Sequence, residues 1–275
     1  MLKDITLGQF FPGNSPLHKL DPRMKLILSM LFIVTVFLAD SLVSIAIMTL
    51  SAFVLVPLGR IPMKTVLRSL KAIRWIILFT AVLNLFWTKT GVQLVDFYFI
   101  DIYWGGIVYA ITMALRVTAL LVGSTLLLSY TTSPIALTDG LEQMLAPLKK
   151  LHIPVHEFAM MMTIALRFIP TLIEETDKII SAQKARGADF ETGSVFARAK
   201  AMIPIFIPLF VSAIRRADEL ATAMECRCYH GGDGRTRMTS LRYSARDFVA
   251  LFLFLLFMAA IIAMRWLPLP AYLGI

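Results

Sequence analysis

Acidic side chains are scarce along much of this chain. No Asp or Glu stands between Pro57 and Arg74, and charged residues of both signs make up only 16% of the 275 residues. A soluble domain ordinarily carries roughly 25% charged residues. A chain that is 58% hydrophobic, with mean hydropathy +0.75, has more apolar surface than one water-soluble core can hide. A bilayer must take much of it. Cysteine is equally thin: Cys226 and Cys228 have a single residue between them, too close for an ordinary structural disulfide, which implies free thiols in a reducing compartment. A secretory signal is missing too. Residues 1–21 include Asp4, Pro12, Gly13, Asn14, Pro16 and His18 and no continuous apolar core, so the first apolar segment is expected to act as its own insertion signal.

Several chemistries lack their residues. There is no G-x-x-x-x-G-K-[ST] phosphate loop, and Gly231-Gly232-Asp233-Gly234-Arg235 has neither its spacing nor its lysine. H-E-x-x-H, a G-x-S-x-G elbow and a cluster of intramembrane carboxylates and histidines are likewise missing. The chain is therefore expected not to be an enzyme and to hold no cofactor of its own. Its net charge of +9 fits an excess of Lys and Arg on the cytoplasmic face of a membrane protein, rather than nucleic-acid binding.

What is present is a series of apolar runs. Leu26 to Val56 is longer than one crossing of roughly 30 Å needs and has basic residues at both ends, Arg23 and Lys25 before and Arg60 and Lys64 after. It is expected to go out and return, with Asp40 and Ser41 at the outer turn and each leg short for a full span. Arg60, Lys64, Arg68, Lys71 and Arg74 then recur at helical spacing, which predicts a basic stripe lying on the inner leaflet against anionic lipid; a solvated linker face is the alternative. Ile73 to Trp87 is expected to run outward. The loop from Thr88 to Trp104 carries interfacial aromatics, and Gly105 to Tyr130 returns with Arg116 near its middle. A charge at that depth faces protein or a cavity, either as an anchor or against a partner subunit.

From Thr131 to Arg246 both signs of charge appear in amphipathic segments. Ser133-Pro134 opens one helix, whose apolar face is marked by Leu137, Leu141, Met144, Leu145, Leu148 and Leu151, and a second, Val155 to Ile169, is expected to stop at Pro170. A third runs from Thr171 to Arg186, and Ala197 to Ile214 is expected to be kinked or broken by Pro204 and Pro208. Arg215 to Tyr229 is the last. Phe248 to Met264 makes a final crossing. The fold class is thus an all-α integral membrane protein, with about five transmembrane helices plus long cytoplasmic amphipathic helices. Its parts are residues 1–130 (four spans and a basic interfacial helix), 131–246 (cytoplasmic) and 247–275 (last span and tail). With a cytoplasmic N-terminus, the external segments hold only Lys89 and Arg265 of the basic residues.

Two helix ends share a pattern. Ala185-Arg186-Gly187 and Cys226-Arg227-Cys228 each set one arginine between small neighbours, so that a helix end can enter a groove on a partner and offer it a guanidinium fork. Spacing alone does not separate docking from the ordinary preference of arginine for helix C-termini. Cys226, Cys228 and His230 offer metal-ligand chemistry without a fourth ligand or a wide enough loop, so no metal site is assigned.

Several separated stretches resemble a known family, the T component of energy-coupling factor transporters, the EcfT family. They are Ser15 to Leu26, Thr132-Ser133-Pro134 with Pro147 to Leu151, Ala165 to Pro170, Gln183 to Gly187 and Ala223 to Tyr229. The resemblance implies a multi-pass bacterial inner-membrane subunit whose coupling helices dock on two ATP-binding cassette ATPases, of the EcfA and EcfA′ type. ATP and Mg would be bound by those partners, and a small S component would capture a vitamin or metal ion. Carried onto this sequence, the docking arginines are Arg186 and Arg227, with cysteines where the second motif usually has Ala and Gly. Arg116 and the apolar residues Leu172, Ile173, Ile179 and Ile180 are expected to meet partner subunits or one another. A membrane-anchored scaffold and a subunit of a dedicated cobalt or nickel uptake system are the alternatives.

Overall fold

The computed structural model describes residues 10–97, 100–190, 194–232 and 241–264. They form eight helices and one short hairpin, an all-α membrane protein: α1 Pro22–Leu38, α2 Leu42–Leu58, α3 Met63–Trp87, β1 Gln93–Phe97, β2 Ile100–Tyr103, α4 Trp104–Ser124, α5 Pro134–Leu145, α6 Val155–Ala185, α7 Val195–Cys226 and α8 Ala245–Met264. Among them α6, α8 and α4 with its π-helical continuation (Thr125–Tyr130) are long and apolar enough to cross a membrane, and α2 is a shorter apolar helix. The chain divides into two compact units, residues 10–140 with 241–264, and residues 141–232.

In the first unit the expected out-and-back hairpin is present. Asp40 and Ser41 form its turn, and Ser41 caps α2 by accepting from the Ser44 N–H, one of the donors that a helix start leaves free. Phe32 and Val36 of α1, Ile45, Met48 and Ala52 of α2, Ala119, Val122 and Leu126 beside them and Ile261 of α8 make the core. Gly123 is required there, since a side chain at that position would overlap the Phe32 ring.

The start of α1 is a polar clasp. Asp21 accepts from the Arg23 N–H and pairs with its guanidinium at 3.0 Å, while Pro22 at the first helical position gives up no hydrogen bond. The Asp21 N–H donates to Asp247 Oδ1 (2.9 Å), and Asp247 Oδ2 accepts from the Ser244 N–H (2.7 Å), so one buried carboxylate serves the beginnings of both α1 and α8. Lys25 Nζ donates to the Thr131 carbonyl (2.7 Å), and Ser15, fully buried, bonds His18 Nδ1. Burial pushes the Asp21 carboxyl up, but the hydrogen bonds and charge of Arg23, with Lys25 behind it, outweigh that and hold it below its usual value.

Four sequence expectations are corrected. From Lys64 onward the basic stripe and the outward segment are one helix, α3, because no proline or glycine interrupts residues 63–87, whereas Arg60 lies outside it, in the turn before Pro62 with φ 53. The aromatic loop contains the antiparallel β1–β2 hairpin, with Asp96 opposite Asp101. Pro147 turns the end of the Ser133-capped helix into a 3₁₀ segment, Ala146–Leu151. Most consequentially, neither Pro170 nor Pro204 and Pro208 ends a helix: α6 and α7 run continuously for 31 and 32 residues. A proline removes one donor and leaves one carbonyl free. The Pro204 carbonyl, which loses its partner to Pro208, instead accepts from Gln183 Nε2 of α6 at 3.5 Å.

Candidate functional site

The two arginine triplets adopt one backbone structure. Arg186 is the C-cap of α6, the Gly187 N–H donates to the Lys184 carbonyl (3.0 Å) and the Ala188 N–H to the Gln183 carbonyl (3.0 Å). At the end of α7 the Cys228 N–H donates to the Glu225 carbonyl (2.8 Å) and the Tyr229 N–H to the Met224 carbonyl (3.1 Å). This pair of bonds is the Schellman cap, which needs a left-handed residue just after the C-cap. Gly187 takes φ +86 without a side chain, and Cys228 takes φ 55 with one. The second triplet therefore keeps the geometry at a cost of about 1 kcal/mol in backbone strain.

The cap explains the triplet position by position. The third residue turns the chain away from the helix axis, and the first, Ala185 or Cys226, is the last helical residue. The arginine between them stands at the helix end, next to carbonyls with a negative partial charge. All six residues are exposed, and among the described residues neither guanidinium has a partner. Space is open around the first triplet, for nothing lies within 4 Å of where a Gly187 side chain would begin. A helix tip with a free guanidinium and no bulky shoulder can enter a groove and satisfy a carboxylate or a set of carbonyls. What sequence reasoning missed is the αL requirement at the third position. The glycine signalled it, but the cysteine hid it.

The other site residues fall in two places. Leu172, Ile173, Ile179 and Ile180 are half-buried on α6. The apolar residues left in the open on these helices are mainly others: Ile203, Phe206, Ile207, Phe210 and Ile214 on α7, and Phe158 and Met161 on α6. On α7 they recur at helical spacing and make one continuous ridge. Arg116 donates from Nη2 to the Ala39 carbonyl at 2.8 Å, tying α4 to the α1–α2 turn. Arg60, Lys64, Arg68, Lys71 and Arg74 are all exposed, and Lys71 and Arg74 border an apolar groove lined by Leu67, Leu70, Trp75, Leu78 and Thr118.

Comparison with known proteins gives one consistent result. Residues 13–239 match the family described as "Cobalt transport protein" (CbiQ). The chain is 51% identical over 266 residues to the energy-coupling factor transporter transmembrane protein EcfT of Ruminiclostridium cellulolyticum, covering 97% of this chain and 99% of that protein. It is 50% identical over 266 residues to the protein of that name in Acidaminococcus fermentans, covering 97% and 98%. Against its namesake in Bacillus subtilis the identity is 49% over 247 residues, covering 90% and 93%.

Proposed function

We propose a function from one premise: the chain belongs to the EcfT family and is a transmembrane component of energy-coupling factor transporters. In this reading it is a non-catalytic coupling subunit. Two separate ATP-binding cassette subunits hydrolyse ATP with Mg, one gripping Arg186 and the other Arg227, and a separate S component captures a vitamin or other micronutrient. The N-terminus, and the helix ends bearing the two arginines, are cytoplasmic, in keeping with the distribution of basic residues.

The observation that carries the reading is the same exposed arginine cap built twice, once with glycine and once against the backbone preference of cysteine. Movement of the two ATPases would displace the two tips relative to one another, and α6 and α7 would pass the displacement to the membrane. The exposed ridge from Ile203 to Ile214 is the face on which an S component would ride, with Leu172, Ile173, Ile179 and Ile180 packing between helices. Arg116 would serve as an anchor for the α1–α2 turn. The basic face of α3 would sit against anionic lipid.

The CbiQ match favours a second reading, in which the cargo is cobalt or nickel. One experiment separates the two, and also a scaffold without transport. The chain is purified from native membranes with its partners, these are identified, and the complex is reconstituted in vesicles with labelled vitamins or with Co²⁺ and Ni²⁺. ATP-dependent vitamin uptake is expected. Metal uptake alone selects the dedicated system, and an assembly without ATPases or uptake removes the transporter reading.

A further inference from the structure

The C-terminal halves of the two long helices in the second unit share a spacing. Moving 41 residues along the chain from α6 reaches α7 with Ile173 on Ile214, Asp177 on Asp218, Ala182 on Ala223 and Arg186 on Arg227, and with Ser181 on Thr222. The same offset relates the two caps described above. It also relates two residues that touch: Glu175 Oε2 and Arg216 Nη2 are 2.7 Å apart, at a separation of 41. Both side chains are half-buried.

Where two copies run antiparallel, as a second contact shows for α6 and α7, equivalent residues meet only close to the axis that exchanges the copies. The Glu175–Arg216 contact therefore marks a pseudo-two-fold axis between α6 and α7. A second contact gives their direction. Gln183 meets Pro204 while Glu175 meets Arg216, so going back along α6 goes forward along α7, and the helices run antiparallel. Arg186 lies eleven residues beyond Glu175 and Arg227 eleven beyond Arg216, about 16 Å of helix axis in each case and in opposite directions. Like residues placed on such an axis would repel if charged. Here the two copies differ in sign at that position, Glu174-Glu175 against Arg215-Arg216, and the meeting is attractive.

We propose that Glu175 and Arg216 are positioning residues, whose ion pair fastens the two helices at the midpoint between Arg186 and Arg227 and so fixes the separation of the two tips. The pair is too exposed to hold the helices together by its own strength. Its effect is on register: with the pair intact, a push at one tip is delivered about one fixed point, and without it the helices slide and the push is lost. The consequence for coupling rests on the docking reading of the two arginines; the geometry of the fastening does not.

The test uses the full chain with Cys226 and Cys228 replaced by serine and spin labels at the equivalent exposed positions 182 and 223. One narrow distance distribution is expected. Glu175→Arg should shift or broaden it by more than about 5 Å, Glu175→Gln should do so more mildly and guards against a misfolded reversal, and the exchanged pair Glu175→Arg with Arg216→Glu should restore it. An unchanged distribution in both single variants overturns the proposal, as does an exchange that fails to restore it. In the assembled transporter, with native cysteines, Glu175→Gln should keep both ATPases bound while transport per ATP hydrolysed falls several-fold, and the exchange should recover it; unaltered transport per ATP also overturns it. Loss of ATPase binding on reversing Arg186 and Arg227 is a separate measurement, so failure of the docking reading is seen there and not here.

Discussion

At the scale of single residues, the two caps differ by one side chain whose consequence can be measured. Cys228 holds φ 55 where Gly187 holds φ +86. Replacing Cys228 by glycine should stabilise the end of α7 by about 1 kcal/mol, and replacing Gly187 by alanine should destabilise the end of α6 by a similar amount. Amide hydrogen exchange over the last turn of each helix reads both changes, slowing in the first variant and speeding up in the second. Asp21 offers a pH-dependent counterpart. Its carboxyl lies below its usual value of 3.8 when folded, so its contribution to stability is present above that value and is lost as pH falls through the folded value. Asp21→Asn should lower the thermal midpoint at pH 7, with a loss of about 1 to 3 kcal/mol for a buried, charge-assisted bond. The gap between the two proteins should narrow as the pH is taken below 3.8. Little of this was legible beforehand. Ser15 to Leu26 was recognisable as a motif, but its purpose depends on Asp247 and Thr131, far away in the chain.

At the scale of elements, the ends of helices were easier to read than their continuity. Ser41 and Ser133 announce starts, and both accept from a backbone N–H in the first turn. The turn at Asp40 and Ser41 followed from a run too long for one crossing. Proline misled, because a local rule prices a lost hydrogen bond without knowing what else accepts or donates nearby. At Pro204 the compensation is a glutamine 21 residues earlier, on another helix. Pro208→Ala would return an N–H to the Pro204 carbonyl within α7. Exchange at residues 206–210 should then slow by about tenfold, and Gln183→Leu should cost less stability in that variant than in the parent chain. A larger cost of Gln183→Leu in the Pro208→Ala background would contradict this account of how α7 passes its prolines.

At the scale of the whole molecule, composition settled the class of the protein, and the pairing of distant residues settled how its first unit closes. Lys25 reaches the Thr131 carbonyl, and Arg116 the Ala39 carbonyl. From residue 25 to residue 39 is about 21 Å along α1, and residues 116 to 131 run through α4 and its π-helical continuation, so the first hairpin leg lies level with the later part of the return helix. That distance is shorter than roughly 30 Å of hydrocarbon, as the short legs of the apolar run had indicated. The arginine tips were visible as a repeated triplet, whereas their common cap and the fastening between their helices required coordinates.

The central claim is that each arginine tip holds one ATPase. Native mass spectrometry of the intact complex tests it most directly. Truncating or reversing an interfacial charge of this kind costs about 2 to 5 kcal/mol, so Arg186→Glu and Arg227→Glu should each release one ATPase, a different one in the two variants, and the double reversal should release both. A double variant that still carries two ATPases would contradict the account.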